Sequence, residues 1–313
     1  MKNKLEILEQ YFGYKAFREG QEEVIDGILS GRDVAGIMPT GAGKSICFQV
    51  PALLLPGITL VISPLISLMK DQVNALTQNG VPVAYINSSL TPRQYQKVFE
   101  NAEAGAYKII YVAPERLLTE ELQKFAAIRE ISMITVDEAH CVSQWGQDFR
   151  PSYLKIPEFV EALPKRPVIS AFTATATPRV REDMVQMLKL QNPLVLLTGF
   201  DRKNLYFEVR KPKDKNRELL EILDSMPEKS GIIYCSTRKN VEEVCEALGK
   251  KGLPATRYHA GLGDKERREN QEDFLYDRST VMVATNAFGM GIDKSNVSFV
   301  IHYNMPKDME SYY

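Results

Sequence analysis

Short apolar runs rich in β-branched residues alternate with helical patterns along the chain, and this alternation limits the fold more than any other feature of the sequence. In the first part of the chain such runs lie at 34–38, 58–63, 83–87, 108–113, 131–137 and 167–172. Helical patterns follow Lys44, cover Leu65 to Gln78 and begin at Thr91-Pro92, where Thr can cap a helix and Pro can start it. Strands that alternate with helices predict parallel sheets covered by helices.

The pattern restarts after about residue 205. Strand-like runs then lie at 205–209, 231–235, 280–285 and 297–303. Helical patterns separate them at Asn240–Lys250 and Asp264–Tyr276. A polar, basic stretch from Gly199 to Arg217 divides the two series, and 313 residues are enough for two domains. We therefore expect an α/β protein with two parallel-sheet domains in tandem, 1–205 and 206–313.

Composition excludes several classes of protein. The chain is 44% hydrophobic and 25% charged, which is typical of a globular protein rather than a disordered one. Its net charge is -1, so any surface for nucleic acid has to be local. The four cysteines show no zinc-binding spacing, so we expect no zinc and a reducing compartment.

One stretch without charge, between Lys44 and Lys70, is long enough to suggest a membrane span. Pro51, Pro56 and Pro64 interrupt it. We therefore predict a short helix, a turn and a buried strand of a parallel sheet, and no membrane partner.

A glycine-rich segment, Met38-Pro-Thr-Gly-Ala-Gly-Lys-Ser45, follows a strand-like run and precedes a helix, as a phosphate-binding loop does. Gly41 and Gly43 let backbone N–H groups approach phosphate oxygens, and the helix N-terminus adds its dipole. Lys44 would reach the β- and γ-phosphates, and Ser45 would bind Mg²⁺. Because Met38 stands where the strict pattern has Gly, an ordinary strand–helix turn is the alternative.

Two carboxylates end the apolar run ISMITVD, within Asp137-Glu138-Ala139-His140. Asp137 would hold Mg²⁺, and Glu138 would polarise an attacking water. Two surface acids at a strand end are the alternative. The phosphate loop and the acidic strand end occur in the expected order, which favours nucleotide hydrolysis.

Together with Ala171-Phe-Thr-Ala-Thr-Ala-Thr177, these motifs resemble motifs I, II and III of superfamily 2 helicases. The whole chain resembles the RecQ DNA helicase family. The resemblance implies two RecA-like domains, the second incomplete at its C-terminus, that use ATP and Mg²⁺. Residues 12–25 resemble motif 0, which implies that Gln21 contacts the adenine edge and that Tyr14 and Arg18 flank the base.

The aromatic-rich segment 141–153 follows motif II directly and is the feature most specific to this family. Its aromatic rings offer faces for base stacking, and a hydrophobic plug under a loop is the alternative. Gln147 departs from the family, which usually has His there. Other segments resemble motifs Ia (61–73), Ib (111–117), IV (231–244) and V (281–306).

The resemblance also assigns individual roles. His140 belongs to the catalytic motif with Lys44, Asp137 and Glu138, and Gly291 and Asp293 belong to ATP binding and domain coupling. A structural role is the alternative for a lone histidine such as His259. The residues implied in DNA binding or coupling are Ser63, Lys70, Gln144, Trp145, Phe149, Arg150, Thr173, Thr175, Ser236, Arg238, His259 and Thr285.

The implied function is an ATP-dependent 3′-to-5′ DNA helicase core that acts on single-stranded and partly duplex DNA in repair and recombination. Its expected location is the cytoplasm, at the nucleoid in a bacterium. The chain ends at Tyr313, before the family's arginine-rich motif VI, so we expect a truncated core. The alternatives are an ATP- and DNA-binding module with little turnover and a superfamily 2 RNA helicase.

Overall fold

The structure is a computed structural model. It describes residues 3–146, 148–199, 204–288, 294, 296–306 and 312. The chain divides into two compact units, Met1–Arg202 and Lys203–Tyr313. We describe each unit separately.

A parallel sheet forms the centre of the first unit. Its strands are β1 (Val34–Ile37), β2 (Ile58–Ile62), β3 (Val83–Ile86), β4 (Ile109–Val112), β5 (Ile131–Val136), β6 (Val168–Thr173) and β7 (Leu194–Leu197). They pair in the order β3-β4-β2-β5-β6-β1-β7, and every pair is parallel. The helices are α1 (Lys4–Phe12), α2 (Gln21–Leu29), α3 (Lys44–Leu54), α4 (Ile66–Gln78), α5 (Pro92–Glu103), α6 (Glu120–Ile128), α7 (Ile156–Glu161) and α8 (Pro178–Met187).

The second unit repeats the arrangement on a smaller scale. Its helices are α9 (Lys215–Asp224), α10 (Arg238–Lys250) and α11 (Asp264–Leu275). Its strands are β8 (Ser230–Tyr234), β9 (Ala255–Tyr258), β10 (Val281–Ala284) and β11 (Val297–His302), in the parallel order β11-β8-β10-β9. The prediction of two parallel-sheet domains is confirmed.

Burial explains why the central strands are almost continuously apolar. All residues of β1, β2 and β4 are buried, because helices cover both faces of the sheet. Side chains alternate between the faces: Leu60 and Ile62 join one core cluster, and Val61 joins the other. The sheet is therefore a rigid platform, and its loops carry the chemistry.

Three local predictions need correction. Residues 205–209, expected as a strand, form none in the described chain, and Tyr206 is 85% exposed. Strands β7 and β9 were not predicted; β7 is an edge strand whose side chains alternate between half-buried and exposed. Helix α3 continues through Pro51 to Leu54, because Ile46 to Ala52 are all buried and packing outweighs the lost hydrogen bond.

A buried carboxylate ties together the amino ends of β1, β6 and β7. Asp33, 2% exposed, accepts hydrogen bonds from two nitrogens of Arg166 at 2.6 and 3.1 Å. It also accepts from the backbone N–H of Ile169 at 2.9 Å and of Gln191 at 2.7 Å. No local pattern in the sequence indicates this arrangement, because its partners lie far away along the chain.

Replacing Asp33 by asparagine is expected to destabilise the first unit by about 1.5–3 kcal/mol, since the amide removes the charge that Arg166 pairs with and one acceptor. Urea denaturation measures the change in the free energy of unfolding. Glu103→Gln, an exposed carboxylate on α5, is the control. Equal free energies of unfolding of the two variants would show that Asp33 does not hold the amino ends of these strands together.

Candidate functional site

The carboxyl ends of four neighbouring strands bring together the residues that the sequence singled out. Strands β2, β5, β6 and β1 are adjacent in the sheet. Because all are parallel, the loops that follow them leave from the same edge, where ligands bind in sheets of this kind. This edge carries the phosphate loop after β1, Ser63 after β2, Asp137 and Glu138 after β5, and Thr173 at the end of β6.

The phosphate loop depends on glycine at two positions. Gly41 and Gly43 have φ of +83° and +81°, which a residue with Cβ rarely adopts. A Cβ on Gly43 would also clash with the side-chain amide of Gln21. Helix α3 begins at Lys44, whose Nζ donates to the backbone oxygen of Met38 at 3.2 Å, and Ser45 follows in its first turn.

Met38 departs from the strict loop pattern for a structural reason. Its side chain is fully buried and belongs to the core cluster under the loop. Its N–H donates to Thr173 O at 3.0 Å, which extends the β1–β6 ladder. Met38 therefore anchors the start of the loop directly after β1, and the backbone that would face phosphate is that of Gly41 and Gly43.

Residues of the segment before α2 border the loop. The N–H of Arg18 donates to Gln21 Oε1 at 2.8 Å, and Gln21 Nε2 donates to Ala42 O at 3.0 Å and Gly43 O at 3.1 Å. The Arg18 guanidinium donates to Gly41 O. With Tyr14, these side chains line a recess of about 110 Å³ beside the loop. The amide of Gln21 thus already bonds to protein, and contact with a base requires it to exchange partners.

Asp137 and Glu138 form an acidic pair at the end of β5. Asp137 N donates to Ile62 O at 2.9 Å, and the Tyr153 hydroxyl donates to Asp137 O at 2.8 Å, so the backbone is fixed on both sides. The Asp137 carboxylate lies 3.5 Å from Ser63 Oγ and 3.1 Å from Glu138 N. Glu138 has φ of +47°, an uncommon conformation for a residue with a side chain.

Burial is the main cause of the raised pKa values of this pair. Burial and the neighbouring charge of Glu138 raise the pKa of Asp137 to about 7, although Lys44 opposes the shift. Burial also raises the pKa of Glu138, again opposed by Lys44. Two carboxylates in such a recess need more positive charge than one lysine provides, and a divalent cation would supply it.

The raised pKa of Asp137 predicts a pH dependence of stability. Between pH 3.8 and about 7 the folded chain keeps a proton that the unfolded chain has lost, so the free energy of unfolding falls as pH rises through this interval. Asp137→Asn carries no charge at any pH. We expect the free energy of unfolding of this variant to exceed that of the parent by about 2–4 kcal/mol at pH 8. Near pH 4 this difference should vanish.

Urea denaturation at several pH values, with EDTA to remove metal ions, measures this difference. Glu103→Gln is again the control, since its carboxylate is exposed. If Asp137→Asn were more stable than the parent by the same amount at every pH, ionisation of Asp137 would not be the cause of the difference.

His140 links the acidic pair to the segment after β6. Its side chain is buried, and Nδ1 lies 2.7 Å from Thr173 Oγ1 and 3.3 Å from Glu138 Oε2. The Thr173 hydroxyl donates to Thr175 O at 3.1 Å, so it accepts from Nδ1. This network assigns the ring proton to Nδ1. Burial lowers the pKa of His140, so the ring is neutral near pH 7.

The aromatic-rich segment is fixed at both ends, and Gln144 and Trp145 between them are exposed. Arg150 donates to Pro64 O at 2.8 Å and binds Asp148 through two nitrogens. Ser143 Oγ donates to Asp183 Oδ2 on α8 at 2.5 Å. Trp145 is 63% exposed, so it is not a core plug. The buried aromatic residue here is Tyr153.

Other predicted residues of the first unit surround these groups. Ser63 is buried, Lys70 and Phe149 are half-buried, and Gln144 is exposed. Gln147 lies outside the described residues. Arg179 and Asp183, which lie on α8 and hold the aromatic segment, were not predicted. Their only signal in the sequence is that they follow the 171–177 motif.

The second unit also gathers predicted residues at one edge. Ser236 follows β8, His259 follows β9 and Thr285 follows β10, and these strands are neighbours. Arg238 is exposed in the first turn of α10. The N–H of Ser236 donates to Asn304 Oδ1 at 3.1 Å. Gly291 and Asp293 lie outside the described residues.

His259 differs from its neighbours because it is buried. Its Nε2 lies 2.8 Å from Glu242 Oε1, and its Nδ1 accepts from Gly261 N–H at 3.1 Å. Both ring nitrogens are therefore bonded to protein. This geometry supports a structural role that shapes the turn at Gly261.

Two kinds of feature were not found among the residues that the structure describes. In the parts of the chain that the structure describes, no group of three His, Cys, Asp or Glu side chains could hold a metal ion. Among the same residues, no helix has the length and apolar character needed to cross a bilayer.

Comparisons with known proteins agree with this geometry. The DEAD/DEAH box helicase family matches residues 18–184, and the helicase conserved C-terminal domain matches residues 214–313. The ATP-dependent DNA helicase RecQ of Bacillus subtilis is 49% identical over 98% of this chain and 52% of its own length. That of Pasteurella multocida is 46% identical over 99% of this chain and 49% of its own length.

The chain thus spans about half the length of the curated relatives it matches. Among solved structures, S. cerevisiae Dbp5 bound to RNA and ADP BeF3 superposes with a TM-score of 0.76. It is 21% identical and covers 100% of this chain and 82% of that one. At this identity the likeness shows the fold alone.

Proposed function

The chain belongs to the DEAD/DEAH box helicase family and, within it, to the RecQ helicases, and from this we propose that it is the core of an ATP-dependent DNA helicase. The carrying observation is that Lys44, Asp137 and Glu138 lie at one edge of a single sheet beside a glycine-rich loop. In this proposal the core hydrolyses ATP and moves 3′-to-5′ on single-stranded DNA to unwind duplexes in repair and recombination.

The residues present fit ATP with Mg²⁺. The loop N–H groups and the start of α3 form an anion-binding site, and Lys44 adds a positive charge. Ser45 and Asp137 would hold Mg²⁺, which supplies charge neutralisation at the phosphates when bound. Tyr14, Arg18 and Gln21 border the recess where the base would lie. Gly291 and Asp293, which lie outside the described residues, are proposed for ATP binding and domain coupling from the family resemblance alone.

Glu138 is proposed as the group that takes a proton from the attacking water. A raised pKa suits this task, because a base works best when its pKa lies near the operating pH. His140 lies beside Glu138 and contacts Thr173, so it would transmit the state of the acidic pair to residues 173–177. The Thr173 hydroxyl donates to Thr175 O, so Thr175 is the next residue in this series of hydrogen bonds.

Single-stranded DNA is proposed to contact the loops around this site. Lys70 and Arg150 would meet the backbone, and Gln144, Trp145 and Phe149 would meet bases, since aromatic rings stack on any base. Ser63, which is buried beside Asp137, would couple the DNA contact to the acidic pair. In the second unit Ser236, Arg238 and Thr285 would contact phosphates, and His259 would shape the turn beside Arg238. The expected place of action is the DNA, at the nucleoid if the source is a bacterium.

Binding of DNA and RNA oligonucleotides of matched sequence tests this function. We expect single-stranded DNA to bind more tightly than RNA and partly duplex DNA to bind as well, in the presence of a non-hydrolysable ATP analogue. Hydrolysis of ATP should rise more with DNA than with RNA. Equal or stronger stimulation by RNA would favour the RNA helicase alternative.

A further inference from the structure

Arg179, at the start of α8, covers one face of the Trp145 ring. Its guanidinium carbon lies 3.9 Å from the ring centroid, which is a close cation–π contact. Both side chains are exposed, and 63% of Trp145 remains accessible. The guanidinium covers one face of the ring, so only the opposite face can stack on a base.

Helix α8 holds the same loop through a second contact. Ser143 is buried, its Oγ donates to Asp183 at 2.5 Å, and it accepts from the N–H of Trp145 at 3.1 Å. The backbone of Trp145 and its ring are therefore both fixed to α8. This helix begins directly after Thr177, whose hydroxyl caps it by accepting from Val180 N.

We propose that Arg179 is a positioning residue for Trp145, which holds the indole so that its open face receives a base of single-stranded DNA. This inference rests on the proposed function, in which the aromatic-rich segment meets DNA. A preordered ring loses less conformational freedom when a base stacks on it. Because cation–π contacts at exposed sites are weak, we expect loss of Arg179 to weaken DNA binding about 2- to 5-fold.

The chain contains a matched control for this arginine. Helix α5 begins with Thr91-Pro92-Arg93, and α8 begins with Thr177-Pro178-Arg179. In both, Thr caps the helix and Pro opens it. Arg93 is exposed and has no ring or ion-pair partner among the described residues. Arg93→Ala therefore removes the same side chain from the same helical position without touching Trp145.

Fluorescence of the free chain tests the contact without DNA or nucleotide. Trp145 is the single Trp of the sequence, so its emission reports on this ring alone. Quenching by acrylamide should increase in Arg179→Ala and remain at the parent level in Arg93→Ala. In Arg179→Lys it should lie between these two levels, because lysine protects the ring in part. Quenching in Arg179→Ala equal to that of the parent would overturn the inference.

Binding of two labelled oligonucleotides then tests what the ring does. For an intact single strand, Arg179→Ala should bind about 2- to 5-fold more weakly than the parent and Arg93→Ala. For an abasic strand of equal length, the loss should disappear, and the salt dependence of binding should be unchanged. An equal loss on abasic DNA, with a smaller salt slope, would make Arg179 a phosphate contact and overturn its positioning role.

Failure of the inference can be distinguished from failure of the proposed function. If the parent does not bind intact single-stranded DNA, the proposed function fails and the DNA part of the inference fails with it, whatever the quenching shows. If the parent binds DNA and Arg179→Ala binds it equally well, the inference alone fails.

Discussion

Replacing Glu138 by glutamine is expected to slow ATP hydrolysis by about 10²- to 10⁴-fold, the usual contribution of a general base. Glutamine has nearly the same shape as glutamate and can still bond to its neighbours, but it cannot accept a proton from water. The phosphate loop and Lys44 are unchanged, so ATP affinity should stay near that of the parent. Single-turnover hydrolysis, with protein in excess over ATP, measures the rate.

Glu103→Gln makes the same chemical change on exposed α5 and controls for the loss of a carboxylate. It should hydrolyse ATP at the parent rate. If Glu138→Gln also kept the parent rate, Glu138 would not be the base.

Replacing Lys44 by alanine is expected to lower the rate of hydrolysis by about 10²- to 10³-fold, because the lysine would stabilise charge that develops on the phosphates. Unlike Glu138→Gln, it should also weaken ATP binding, by about 10- to 100-fold, since a charged hydrogen bond is lost. Lys97→Ala, at an exposed position on α5, is the control. Unchanged turnover in Lys44→Ala would show that this lysine does not act on the phosphates of ATP.

Much of the fold could be predicted because its signals are local. The Thr91-Pro92 start of α5 is confirmed, and the structure adds a reciprocal hydrogen bond with Gln94. The buried strands were equally clear, since parallel strands covered on both faces read as unbroken apolar runs. Residues 205–209 are also rich in apolar and aromatic residues, although Glu208 interrupts them, and the structure leaves them outside both sheets. Composition does not reveal whether a partner strand is available.

The site was predictable in its parts and not in its connections. Phosphate loop, acidic strand end and aromatic segment each lie within a short stretch, so their residue types alone suggested chemistry. The contacts of Asp183 with Ser143 and of Arg179 with Trp145 join residues that are distant in the sequence. His259 shows the opposite case, because the family resemblance implied a DNA contact and its burial between Glu242 and Gly261 supports a structural role.

Equilibrium binding of ATP to the parent, Lys44→Ala and Glu138→Gln, each with and without Mg²⁺, tests the central claim most directly. The account predicts that Mg²⁺ tightens binding to the parent and to Glu138→Gln equally, while Lys44→Ala binds about 10- to 100-fold more weakly. Equal affinity of all three proteins, with no effect of Mg²⁺, would contradict the assignment of this edge of the first sheet as the ATP site.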